Sequence, residues 1–505
     1  MKEERLLNTL RKKPAYLSVL PLIGFSFYTF ASEPAFTEIS SELFSVAGSL
    51  SNAWGDIDGD GDSDLAVSIK GGEIRLYQNN GGEFLNVGEA LGLPLNGDEI
   101  RGLSWGDFDN DGDIDLIGGS NVYPIPSRSY VYRNENGKSF TEVAEIIGLS
   151  IPGRWSRQSN WVDYDNDGDL DIYAANRAGA NRLLNNQHGQ FILVQNNQAP
   201  NDPRRTVGSC WFDFDQDGDL DLFLANQSGD SDALWQNNQG SFVDVAPILG
   251  MDQTLRTLKD GGVGCAIGDF DNDGDFDLYV GAYGDNLLYR NEGNGSFSEV
   301  ADELGVTLPI ETVGASWGDY DNDGWIDLMV VGYRNPGQIP ENRLYKNNGG
   351  KFENVLIEGG LLDKGDHGVE WVDYDRDGDI DLSVTDGYGT EGGHFLFRND
   401  LEFSANKKML SVLVLDKDEN FTRAGSEIRV YDTENNILGS RQVSSGGGYN
   451  TQSALPVYFG IFGHTSVSIE IKFMGLSGGH IQRLENIELI NSYNQIIVVE
   501  DNNIQ

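Results

Sequence analysis

Runs of alternating aspartates offer most of the coordinating chemistry in this sequence. They read DIDGDGDSD from Asp56, DFDNDGDID from Asp107, DYDNDGDLD from Asp163 and DFDQDGDLD from Asp213. DFDNDGDFD begins at Asp269, DYDNDGWID at Asp319 and DYDRDGDID at Asp373. Positions 1, 3, 5 and 9 are aspartate in every run, and position 6 is glycine. The candidate ligands are Asp56, Asp58, Asp60, Asp62 and Asp64; then Asp107, Asp109, Asp111, Asp113 and Asp115; then Asp163, Asp165, Asp167, Asp169 and Asp171. They continue as Asp213, Asp215, Asp217, Asp219 and Asp221; Asp269, Asp271, Asp273, Asp275 and Asp277; Asp319, Asp321, Asp323, Trp325 and Asp327; and Asp373, Asp375, Asp377, Asp379 and Asp381.

Alternate side chains converge on one point when such a loop curls, and glycine at position 6 permits the sharp turn. Position 7 then offers its backbone carbonyl, as in an EF-hand loop. Trp325 at that position fits a backbone role and no side-chain one. Hard carboxylate oxygens without His or Cys select Ca²⁺ over transition metals. An all-protein oxygen cage disfavours Mg²⁺, which keeps its waters. Four or more carboxylates within nine residues also repel one another without a counter-ion. The expectation is up to seven Ca²⁺.

The elements that hold these loops repeat with them, at intervals of 50 to 56 residues. A tryptophan precedes position 1 by two residues in six copies: Trp54, Trp105, Trp161, Trp211, Trp317 and Trp371. Downstream, segments such as LYQNNGGEF at Leu76 and LWQNNQGSF at Leu234 place Asn-Gly turns between apolar runs, a hairpin signal. Each turn is followed by Phe and, three residues on, Val, as in Phe84/Val87 and Phe140/Val143. One period therefore holds four strands. The predicted fold is all-β, a seven-bladed β-propeller, with an open solenoid as the alternative. After the seventh run the outer strand is missing, but AFTEIS near Phe36 and Ile39 matches it. Residues 35–40 are therefore expected to complete the seventh blade and close the ring.

These repeats resemble the FG-GAP or VCBS calcium repeats of integrin-type propellers, over about residues 35–405. The resemblance implies that the ions are structural and that ligands meet the opposite face. Beyond the repeats, RQVSSGGGYNTQ at Arg441, VYFGIF at Val457 and GGHIQRLENI at Gly478 resemble the ASPIC/UnbV domain of the cartilage acidic protein family. Tyr458 stands where such domains often carry His. Period-two patterning there predicts a small β-sandwich-like domain over 406–505, with the propeller over 32–405.

Arg11, Lys12 and Lys13 precede an apolar run that ends in small residues, the order of a signal peptide over 1–31. A secreted or cell-surface location follows (periplasmic if bacterial), with no membrane span after signal removal. The formal net charge of −45 argues against nucleic-acid binding. Cys210 and Cys265 precede their aspartate runs by different offsets. That difference points them to opposite strand faces, which does not favour a disulfide between them but leaves their pairing open.

Six residues before position 1, three copies carry Arg101, Arg157 or His367, with Arg154, Trp155, Arg205 and Lys259 nearby. Strand exits at Asn176, Arg177, Asn226, Tyr283, Tyr333 and Asp386 face the same channel mouth. A basic, aromatic cluster on so acidic a chain is a candidate site for an anion, glycan or protein. No HExxH, GxSxG or Walker loop is present. The leading expectation is an extracellular recognition or adhesion module without catalytic residues. The alternatives are a polysaccharide lyase or hydrolase using Arg157 or His367, and a purely structural surface protein.

Overall fold

The computed structural model describes residues 34–120, 128–149, 156–195, 199–308, 310–333, 342–388, 393–401, 406–475 and 479–501. The expected signal peptide lies outside the described residues, as do Arg154 and Trp155. The aspartate runs form the tight turns between the first and second strands of seven sheets. Each blade has four strands, consecutive in sequence in six of them, while the seventh takes its outer strand from the N-terminal side and the second gains a fifth strand from the C-terminal region. In the first sheet the four strands are Ser49–Gly55, Asp64–Ile69, Ile74–Asn80 and Glu83–Asn86. The protein is an all-β propeller.

The ring closes through Phe36–Glu38, which pairs antiparallel with His394–Asn399 of the seventh sheet. Phe36 lies opposite Asn399, as Phe84 lies opposite Asn79 and Phe140 opposite Asn134. The Ile39 N–H donates to the Leu396 carbonyl at 2.8 Å, as Val87 donates to Leu76. The closing strand thus has the register of every other outer strand.

Neighbouring blades are joined by one asparagine each: Asn79, Asn134, Asn186, Asn237, Asn291, Asn347 and Asn399. Its Nδ2 donates to the position-2 carbonyl of the preceding blade at 2.7–2.9 Å. The first blade's Asn79 reaches Tyr374 of the seventh, so the circuit has no gap. Indole N–H groups add a parallel set, with Trp105 donating to the Ala53 carbonyl and Trp161 to that of Ser104.

Cys210 and Cys265 form a disulfide, with their Cα atoms 6.3 Å apart. The pairing left open by the sequence is thus made, against the strand-parity argument. The two cysteines belong to the innermost strands of adjacent blades, Thr206–Phe212 and Gly261–Gly268. Stacked blades meet back to front, so opposite sheet faces are what bring the two side chains together.

The C-terminal region is a sandwich of a three-stranded and a four-stranded sheet. Leu410, Val412 and Phe459 of one sheet pack on Ile428, Ile469 and Ile471 of the other. Ring and sandwich form one compact unit. The sandwich lies on the aspartate-loop face: Lys472 Nζ is 2.5 Å from Asp213 Oδ2, and Arg429 donates to the Gly274 carbonyl at 2.9 Å. From it, the segment between Val443 and Leu455 enters the central channel. Thr451–Gln452 pairs parallel with Leu103 and Ser104 of the second blade. Gln452 brackets Trp161, accepting from its N–H and donating to its carbonyl. Ser445 Oγ donates to the Trp211 carbonyl at 2.6 Å.

Asn237 is fully buried and also accepts the Gly240 N–H. Asn237→Ala removes these bonds and leaves buried carbonyls unpaired, a loss of about 2 kcal/mol. The melting temperature is expected to fall by a few degrees in calorimetry. An unchanged transition would show that the inter-blade asparagines contribute nothing.

Candidate metal loops and channel mouth

The loop geometry starts from its two end aspartates. In runs two to six, position 1 accepts the N–H groups of positions 5 and 6 at 2.8–3.1 Å. Position 6 has φ of +92° to +100° in the seven runs, which is why it is glycine. Position 9 is fully buried in all seven. One of its oxygens accepts the N–H of position 2, at 2.9–3.3 Å. The other accepts the N–H of the inter-blade asparagine at 2.7–2.9 Å.

These constraints bring carboxylates to common points. Asp56, Asp58 and Asp64 place oxygens within 4.8 Å of one another, as do Asp107, Asp109 and Asp115. The same holds for Asp163, Asp165 and Asp171, for Asp213, Asp215 and Asp221, and for Asp269, Asp271 and Asp273. Position 3 carries the sharpest sign of a ligand. Its Oδ1 is buried without a hydrogen-bond partner in Asp109, Asp165, Asp215, Asp271, Asp321 and Asp375. A carboxylate oxygen can only accept, and no donor among the described residues reaches these six, so the donor set fits a hard cation. In the seventh run both oxygens of Asp373 and of Asp379 likewise have no hydrogen-bond partner among the described residues.

Burial raises the carboxyls, and neighbouring aspartates add to it. Asp107, Asp163, Asp269 and Asp319 are pushed up to about 7, and Asp64 to about 8.

At the opposite mouth, a bulge early in the inner strand of six blades turns one residue toward the channel. The register shifts fall around Arg101, Arg157, Val207 and Val263. These four line one cavity of about 60 Å³ with Arg177, Gln227, His367 and the tyrosines Tyr283, Tyr333, Tyr388 and Tyr449. The structure thus unites Arg101, Arg157 and His367. It does not bring in Arg205, which pairs with Asp230 at 2.8 Å, or Lys259, which is exposed. Asn176 and Asn226 turn inward to local carbonyls, and the Asp386 N–H binds Ser49. Tyr388 and Tyr449 were not foreseen. Tyr449 comes from the channel segment, and no repeat marks it.

His367 Nδ1 lies 2.5 Å from Asp366 Oδ1, and Nε2 lies 3.5 Å from Arg101 Nη1. Burial holds this imidazole below its usual value despite Asp366. Arg101 is paired with Glu99 at 2.7 Å.

Comparison with known proteins places the class. The FG-GAP-like repeat matches six segments: 56–118, 122–174, 163–224, 213–280, 269–330 and 319–384. The chain belongs to the FG-GAP-like repeat family. Among curated relatives, cartilage acidic protein 1 of Mus musculus is 26% identical over 273 residues, 52% of this chain and 40% of that protein. The Homo sapiens protein of that name is 29% identical over 144 residues, 27% of this chain and 21% of that protein. The chain spans less than half the length of these relatives. Among solved structures, a lectin of Agrocybe aegerita that recognises non-reducing terminal N-acetylglucosamine is 18% identical, with a TM-score of 0.39 over 62% of this chain and 81% of that one. The V. cholerae biofilm matrix protein Bap1 is 10% identical, with a TM-score of 0.42 over 85% and 99%.

The raised carboxyls set a pH dependence. A folded pKa above the unfolded value of 3.8 means that the native state binds more protons in between. Stability from these groups is present below 3.8 and is lost as pH rises through about 7 to 8. In chelator, the protein is therefore expected to melt higher at pH 5 than at pH 8. A flat or rising profile between those values would contradict the account of buried, uncompensated loops.

Proposed function

We propose that the protein is a secreted, calcium-loaded recognition module. It binds a glycan or protein ligand at the channel mouth opposite the aspartate loops. The observation that carries this reading is the convergence of Arg101, Arg157 and His367 on one cavity, on a chain of net charge −45. Calcium is supported by the unpartnered position-3 oxygens and by the all-oxygen donor set. Secretion is supported by the disulfide, which oxidising compartments favour, and by the basic-apolar-small order of residues 1–31. Among the described residues, no helix is long and apolar enough to cross a membrane. We assign the C-terminal sandwich to the ASPIC/UnbV type on its SSGGGYN segment.

A second reading, a polysaccharide lyase, draws on the Asp366–His367 pair beside Arg101. Such a pair could orient a base next to a cation that holds a uronate.

Native affinity electrophoresis in gels containing acidic or neutral polysaccharides, with calcium or chelator, separates the readings. Retarded migration in calcium, with the polysaccharide stain intact, is expected. Cleared zones would replace the module by the enzyme. Unaltered migration in every gel would remove the glycan arm of the proposal. In the same protein, Asp321→Ala is expected to lower the melting temperature in calcium and to change it little in chelator.

A further inference from the structure

The mouth cavity contains a buried arginine with no counter-charge paired to it among the described residues. Arg157 is 6% exposed, and its Nε and Nη1 have no hydrogen-bond partner among the described residues. Several other arginines of the ring have acidic partners. Arg101 has Glu99, Arg205 has Asp230, and Arg204 has Asp202 and Asp244. A buried cation left unpaired is costly to keep, and a protein that keeps one lining a cavity has a place ready for an anion. Burial pushes the Arg157 guanidinium down to about 10, still a cation at neutral pH.

The surroundings define what that anion is attached to. Arg177 lines the same cavity, and Arg101 and Lys70 stand behind Tyr388: Arg101 Nη2 donates to its hydroxyl at 3.3 Å, and Lys70 Nζ lies 3.4 Å from its ring centroid. Asp366, the carboxylate paired with His367, is occupied by that imidazole and by the Gly387 and Tyr388 N–H groups. The cavity of about 60 Å³ accepts a carboxylate and the carbon that bears it, but not a whole pyranose ring. Tyrosine rings and hydroxyls surround it, suited to the C–H faces and hydroxyls of a sugar left at the rim. Tyr449 reaches the cavity from the C-terminal sandwich, so the pocket is complete only when the channel segment is in place.

We infer that this composite pocket binds the carboxylate of an acidic sugar, with Arg157 as its anchor. The inference rests on the recognition reading above and names the chemistry of the ligand.

Isothermal titration of the calcium-loaded full chain tests it with three probes: glucuronate, glucose, and an N-acetylated dipeptide with a free carboxylate. Glucuronate is expected to bind, glucose to give no heat, and the dipeptide to bind more weakly by about tenfold. Arg157→Met is expected to weaken glucuronate by about tenfold or more. It should leave the melting temperature of the ligand-free protein unchanged or raised, because it removes an unpaired buried charge. Arg157→Lys should retain part of the binding. A purely structural arginine gives the reverse: a lower melting temperature and unaltered titrations. That result overturns the inference, as does the absence of glucuronate heat at millimolar concentration. Equal affinity for the dipeptide overturns the sugar assignment. Polysaccharide retardation that persists in Arg157→Met would leave the recognition reading standing and remove this pocket from it. Glucuronate binding without any retardation would do the opposite.

Discussion

The position-9 aspartate is the constraint on which the ring depends. It is a carboxylate with no solvent access, and each of its oxygens is committed to a backbone N–H from a different part of the blade. One bond shapes the loop between the first two strands. The other fixes the third strand through an asparagine, and that asparagine holds the blade before it. Local turn, sheet register and blade-to-blade spacing thus meet at one residue. The same carboxylate stands beside positions 1 and 3 in four of the named clusters, so the charge that organises the blade also creates the demand for a cation.

The channel poses a different problem. Innermost strands present unpaired backbone groups along the axis, and such edges need partners or water. The segment from Val443 to Leu455 supplies partners to several blades, including a short parallel pairing in the second. Its glycines are set by space. A Cβ at Gly446 would lie 2.1 Å from Asn160 Nδ2, and one at Gly448 would lie 2.6 Å from the Val369 carbonyl.

Sequence revealed most fully what is repeated. Seven spaced aspartate runs exposed the loops, the blades and the closing strand near Phe36, because each copy restates the same local geometry. The asparagine of the hairpins was visible in every copy but was read as turn chemistry. Its inter-blade bond requires the neighbouring blade to be in place. The cysteine pairing was disfavoured because strand parity describes one sheet, whereas the bond spans two stacked sheets. At the mouth, the shared offset of Arg101, Arg157 and His367 was legible because it is counted from the repeated aspartate run; Arg101 and Arg157 sit on bulges, and His367 lies just before its strand. Arg205 and Lys259 lie outside that offset and outside the cavity. Tyr449 had no periodicity to betray it.

The closing strand and the channel segment together dictate an order of assembly. Phe36 pairs with Asn399, and the Ala454 N–H donates to the Trp54 carbonyl. Early-made and late-made stretches of chain are therefore partners at both the rim and the axis. A nascent chain emerging from the ribosome can form individual blades. It can neither seal the ring nor fill the bore until residues near 400 and then 450 have been synthesised. Completion of the ring is thereby deferred to the synthesis of residues far from the first blade, and a chain halted before them holds blades with open edges.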